Sequence, residues 1–160
     1  MKIALHTLAI GFLLLIGGTS AANPQSRDGH RIIPSRDIAW APGPASIPAG
    51  AQAATLYGDP SKEGLFALRL KLRKGYRIPP HTHPKPEVVT VLSGTFRLDM
   101  GEVEDRGKAQ PLPAGSFCAL PPGMVHYAIA DEDTVIQLNS TGPWSLTYVT
   151  PKDDPRQKPM

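Results

Sequence analysis

Three imidazoles and one carboxylate in this chain have the types and the spacing to hold a metal ion. His81 and His83 stand two residues apart in "IPPHTHPKPE". On an extended backbone, residues i and i+2 face the same side, so both rings point into one space. Glu87 opens the next apolar run four residues later, within reach of a chain folding back through Pro84, Lys85 and Pro86. Two imidazoles and a carboxylate meeting at one point form a donor set for a first-row transition metal. His126, directly after the turn "LPPGMV", is the natural completing ligand, whereas His30 lies in a polar stretch. A histidine taken alone reads as a surface or hydrogen-bonded residue; the spacing of the group is what points to a metal. With four protein ligands, an octahedral ion keeps one or two positions for water, oxygen or a chelating molecule. Such an ion polarises a carbonyl, deprotonates a bound water or activates oxygen. Nitrogen and carboxylate donors suit manganese, iron, nickel, copper or zinc, and the spacing does not choose among them.

These side chains need strands to hold them. "LFALRLKLR" alternates, with Phe66, Leu68, Leu70 and Leu72 on one face and Arg69 and Lys71 on the other, the signature of a half-buried strand. The pattern recurs in "AATLY", "EVVTVL", "TFRLDM", "SFCAL", "HYAI", "TVIQLN" and "SLTYVT", separated by proline and glycine turns. A helical apolar period is not sustained anywhere, so the expected fold is all-β, a sandwich or a closed barrel. "WAPGPASIPAG" holds too many prolines and glycines for a helix and is expected as a loop or a set of extended segments.

The apolar run "LAIGFLLLIGG" behind Lys2, followed by the small residues "TSAA", reads as a signal peptide over residues 1–22, too short for a retained membrane anchor. That places the mature protein in the periplasm or outside the cell, with no stable membrane insertion after cleavage. Residues 23–37 are expected as a flexible lead-in, 38–150 as the β domain and 151–160 as a polar tail, unstructured or laid along the surface. Without Lys2, 16 of the 17 basic residues remain against 14 acidic ones. The charges are scattered, which argues against a nucleic-acid partner. Cys118 is the only cysteine, so no internal disulfide forms.

Both ligand-bearing segments carry a family resemblance. "GYRIPPHTHPKPEVVTVLSG" fits the first cupin motif at Gly75, His81, His83, Glu87 and Gly94, and "GSFCALPPGMVHYAIA" fits the second at Gly115, Pro121, Gly123 and His126, with Ala130 in place of its closing asparagine. The resemblance implies a small antiparallel jelly-roll barrel with the metal held inside by His81, His83, Glu87 and His126. The flanks "LYGDPSKEGLFALRLKL" and "TVIQLNSTGPWSLTYVTPKDDPR" resemble single-domain cupins related to the C-terminal domain of the ChrR anti-sigma factors; the fold carries over, the regulatory role does not. Cupins of this size resemble dioxygenases, decarboxylases, isomerases and lyases, and often form homodimers. The expectation is therefore a metal-dependent enzyme, dioxygenase-like first, acting on a small oxygen-bearing organic molecule. The alternative is a non-catalytic metal- or ligand-binding module of the cell envelope.

Strand parity extends the reading. Glu87, Val89 and Val91 are expected to point inward, as are His126, Ala128 and Ala130, giving a pocket wall that is largely small and apolar. Glu87 is also a candidate to take a proton during turnover. Gln137 and Asn139 share a face; turned inward, Gln137 is a catalytic candidate that would hydrogen-bond substrate or a metal-bound water, and turned outward it is solvated. Cys118 reads as an ordinary buried thiol, Asp59 as a turn residue, and Tyr57, Trp40 and Tyr127 as packing residues before pocket-mouth ones.

Overall fold

The computed structural model describes residues 31–157. The expected signal peptide, residues 23–30 of the lead-in with His30, and residues 158–160 of the tail lie outside the described residues. From Ile32 onward the described chain belongs to one compact unit. Its strands are β1 (Ala41–Pro42), β2 (Gln52–Tyr57), β3 (Gly64–Leu72), β4 (Arg77–Thr82), β5 (Glu87–Ser93), β6 (Thr95–Met100), β7 (Gln110–Pro113), β8 (Phe117–Leu120), β9 (His126–Ala130), β10 (Thr134–Gly142) and β11 (Thr147–Tyr148). They form two antiparallel sheets, ordered β1-β2-β3-β10-β5-β8 and β11-β4-β9-β6-β7, the layout of a jelly roll. Among the described residues, no helix is long and apolar enough to cross a membrane.

Alternation explains which face each strand buries. In β3, Phe66, Leu68, Leu70 and Leu72 are buried between the sheets, and β10 sets Ile136 opposite Leu70 and Leu138 opposite Leu68. Arg69 and Lys71 take the outer face, where the Lys71 ammonium lies 4.0 Å from the Trp40 ring centroid. That cation–π contact makes Trp40 an outer-face packing residue. Strand β9 departs from simple alternation, because both its faces are covered. His126, Ala128 and Ala130 face inward. Tyr127 and Ile129 form a small second core with Ala109, where the Tyr127 hydroxyl donates to the Asp105 carbonyl at 2.7 Å and accepts from the Asp105 N–H at 2.9 Å. Tyr127 is thus fully buried on the far side of its sheet from the pocket.

Strand β7 was not expected, since Pro111 and Pro113 hide its signature. It sits at a sheet edge, where a missing N–H costs no ladder bond. The run "SLTYVT" yields only Thr147–Tyr148 as strand, while β10 runs three residues past "TVIQLN" to Gly142. The described part of the tail forms two 3-10 turns, Pro151–Asp153 and Pro155–Gln157. Arg156 pairs with the buried Asp154 and donates to the Leu146 carbonyl at 2.9 Å, tying the tail to the barrel wall.

Candidate metal centre

Strands β4 and β9 pair with His81 directly opposite His126. Two residues past His81, His83 projects to the same side, held where Gly123 N–H donates to the His83 carbonyl at 2.8 Å. Glu87 comes from the other sheet, as the first residue of β5. His81, His83, His126 and Glu87 are each 5% exposed or less. The three histidines each offer a nitrogen within 4.8 Å of the others', and Glu87 Oε1 lies 3.4 Å from His83 Nε2.

Each ring is oriented by a backbone carbonyl. Nδ1 of His81 meets Pro79 O at 2.7 Å, that of His83 meets Ser145 O at 2.8 Å, and that of His126 meets Met124 O at 3.0 Å. A carbonyl can only accept, so in all three rings the proton sits on Nδ1 and Nε2 presents a lone pair. Nε2 of His81 then faces Nε2 of His83 at 3.1 Å, two acceptors with nothing to share between them. A cation placed there turns that repulsion into attraction, and an outer carbonyl fixing the tautomer is the usual support of a metal-bound imidazole. The residues present therefore fit a divalent transition metal.

Burial tunes the ligands. It presses His81 down to about 2, with the neighbouring His126 and His83 adding to the effect, and His83 down to about 4. His126 is lowered for the same reason. All three rings stay neutral, the form in which they can ligate. Burial lifts Glu87 to about 7, and a hydrogen bond from Trp144 opposes that rise. In the metal-free protein the contact between His83 and Glu87 is therefore one of neutral groups in mildly acidic solution rather than an ion pair.

Trp144 is the residue that sequence reasoning missed. Its Nε1–H donates to Glu87 Oε1 at 3.0 Å, and its ring stacks on His83 with centroids 5.5 Å apart and planes at 15°. Phe66 meets its edge, and its backbone N–H donates to Pro60 O at 2.7 Å. One short segment, Trp144 and Ser145, thus orients both His83 and Glu87. Nothing in the sequence links Trp144 to a carboxylate 57 positions away.

Two expectations need correcting. Gln137 is outside the pocket: Ile136 and Leu138 take the inward positions of β10, and Gln137 on the outer face accepts from Arg69 Nε at 3.0 Å and donates to Asn139 at 3.4 Å. No direct role in the site is open to it from there. The pocket wall is apolar as expected but not small, with Leu70, Phe96, Leu98 and Leu138 among its lining and about 390 Å³ of space between the atoms, part of it open to solvent. Cys118 is half-buried, and burial together with nearby Glu87 pushes its thiol up to about 11, which leaves it inert.

Residues 68–140 match the family model described as "Cupin domain". A germin-like protein, 3-1 of Oryza sativa subsp. japonica, is 34% identical over 89 residues, covering 47% of this chain and 40% of that protein. The chain thus spans well under half the length of that curated relative. A candidate acetylacetone dioxygenase from Methylibium petroleiphilum shares the fold with a TM-score of 0.61 at 18% identity, over 82% of this chain and 88% of that one. The structure of Rhodobacter sphaeroides SigE with the anti-sigma factor ChrR matches with a TM-score of 0.50 at 22% identity, over 68% of this chain and 52% of that one. Residues 68–140 thus match a cupin domain, and the two-sheet jelly roll and the fold shared with these solved structures agree with that match.

Proposed function

We propose that the protein is an exported, metal-dependent enzyme, oxygenase-like, that acts on a small oxygen-bearing organic molecule. The observation that carries this reading is the pair of buried imidazole nitrogens facing each other at 3.1 Å with both Nδ1 protons committed elsewhere. His81, His83, His126 and Glu87 hold the ion in this reading. When bound, it supplies Lewis-acid or redox chemistry on its side open to the cavity. The chain's own residues do the rest. The Pro79, Ser145 and Met124 carbonyls fix the three rings, Trp144 steadies Glu87, and the apolar wall keeps water from a bound substrate. Glu87 is the one group at the site that both ligates and exchanges a proton near neutral pH.

Export to the periplasm or beyond rests on the reading of residues 1–22. A homodimer belongs to the same proposal, and sedimentation of the mature protein at the mass of a single chain contradicts it.

Turnover is the test of the enzyme reading. The protein purified from its native export compartment is expected to consume a member of a panel of diketones, phenols and oxalate-like acids, and Glu87→Gln to lose that activity while keeping its fold. Binding at the metal without turnover of any of them contradicts catalysis and leaves a ligand-binding module.

A further inference from the structure

The cavity that adjoins the histidines has an unusually one-sided lining. Sixteen residues form it, and twelve of them are hydrocarbon or aromatic side chains; the other four are His81, His83, Glu87 and His126. No lysine or arginine lines it among the described residues. The cations carried by the same strand as Leu70, namely Arg69 and Lys71, project from the opposite face, where Arg69 is bound to Gln137 and Lys71 lies over Trp40. The polar proton in the wall outside the histidines, Trp144 Nε1–H, is already given to Glu87.

A molecule in this cavity therefore finds polar recognition at one end only. An anionic or chelating oxygen group is satisfied at the ligand cluster. A second carboxylate would be stripped of water against Leu98, Ile136 and Leu138 with no donor to replace it, which is strongly unfavourable. A hydrocarbon body in the same place gains from leaving water.

We infer that the cavity selects a small molecule with a single oxygen-bearing, metal-seeking end and an apolar body, and that it discriminates against dianions. This selectivity rests on the metal-centre reading above, since the polar end is met by the ion that the histidines and Glu87 hold. Specificity here comes from what the wall lacks rather than from a dedicated contact.

Calorimetric titration of the metal-loaded protein with acetohydroxamate, propionohydroxamate, butyrohydroxamate and succinic monohydroxamate, in which a carboxylate replaces the terminal methyl of butyrohydroxamate, tests the inference. Each affinity is divided by that of the same probe for the same ion free in buffer, and metal content is checked after each titration. Affinity is expected to rise about two- to fourfold with each added methylene, with succinic monohydroxamate the weakest after correction. Flat or falling affinity along the alkyl hydroxamate series, succinic monohydroxamate at or above butyrohydroxamate, or no binding by any probe to metal-loaded protein overturns the inference alone. A protein that takes up no metal overturns the metal-centre reading, and this inference falls with it.

Discussion

At the scale of single residues, the site depends on how each donor is held. The imidazoles are kept neutral by burial and oriented by carbonyls of their own backbone neighbourhood, so their geometry is local for His81 and His126, whose acceptors Pro79 and Met124 are two residues away. His83 differs, because its acceptor Ser145 comes from the far end of the chain. Glu87 depends on that same segment through Trp144. Substituting Trp144 by Phe keeps a ring against His83 and removes the N–H that favours the carboxylate. Glu87 then rises above about 7, its ligating form is reached only at higher pH, and the pH at which half the bound metal is released moves up by about half a unit to one unit, the worth of one hydrogen bond. Metal retention followed against pH checks this, and an unchanged midpoint contradicts the role given to Trp144. That His81, His83, His126 and Glu87 meet at one place was legible because they cluster in two short motifs. Trp144 was not, because its importance arises from a contact that only the folded topology creates, and Gln137 was ambiguous because parity alone does not say which face of a strand is inward.

At the scale of elements, the two sheets are positioned by turns as much as by strands. Gly94 joins β5 to β6 with φ of 75°, and a Cβ there would lie 2.5 Å from the Asp133 carbonyl oxygen and 2.6 Å from Thr134 Oγ1. Both the left-handed backbone and the lack of space exclude a side chain. Gly94→Ala is expected to cost about 2 kcal/mol or more, read by denaturant unfolding of the metal-free protein; a loss within experimental error contradicts the packing described at this turn. Strands β3 and β6 were readable from sequence since β3 alternates from Leu68 to Leu72 and β6 from Thr95 to Met100. β7 was hidden by its prolines; β9 was read as the strand "HYAI", but its second buried face, set by the loop that Tyr127 anchors, was not. Such an outer covering has no period that a single strand can display.

At the scale of the whole molecule, the buried titratable cluster couples stability to pH. In the metal-free protein the three histidines are lowered relative to the unfolded chain, so their contribution is lost as pH falls below about 6.5, when the unfolded chain takes up protons that the folded one refuses. Glu87 acts the other way: its folded value is raised from 4.5 to about 7, so the stability it contributes is lost as pH rises through that window. Three groups outweigh one, and stability of the metal-free protein is expected to fall as pH is lowered from 7 to 5. Denaturant midpoints across that range report it, and a midpoint that rises toward acid contradicts the neutral, buried state of the histidines. Metal binding adds to stability by mass action and requires the same deprotonated ligands, so the loaded protein is expected to show a steeper loss over the same interval.

The most direct measurement is the metal content of the mature protein purified from its native compartment, beside His81→Ala handled identically. Close to one transition-metal ion per chain is expected in the natural protein and a clear fall in the variant, with His81→Ala still folded by circular dichroism. Equal metal in both, or none in the natural protein, contradicts the metal centre built from His81, His83, Glu87 and His126.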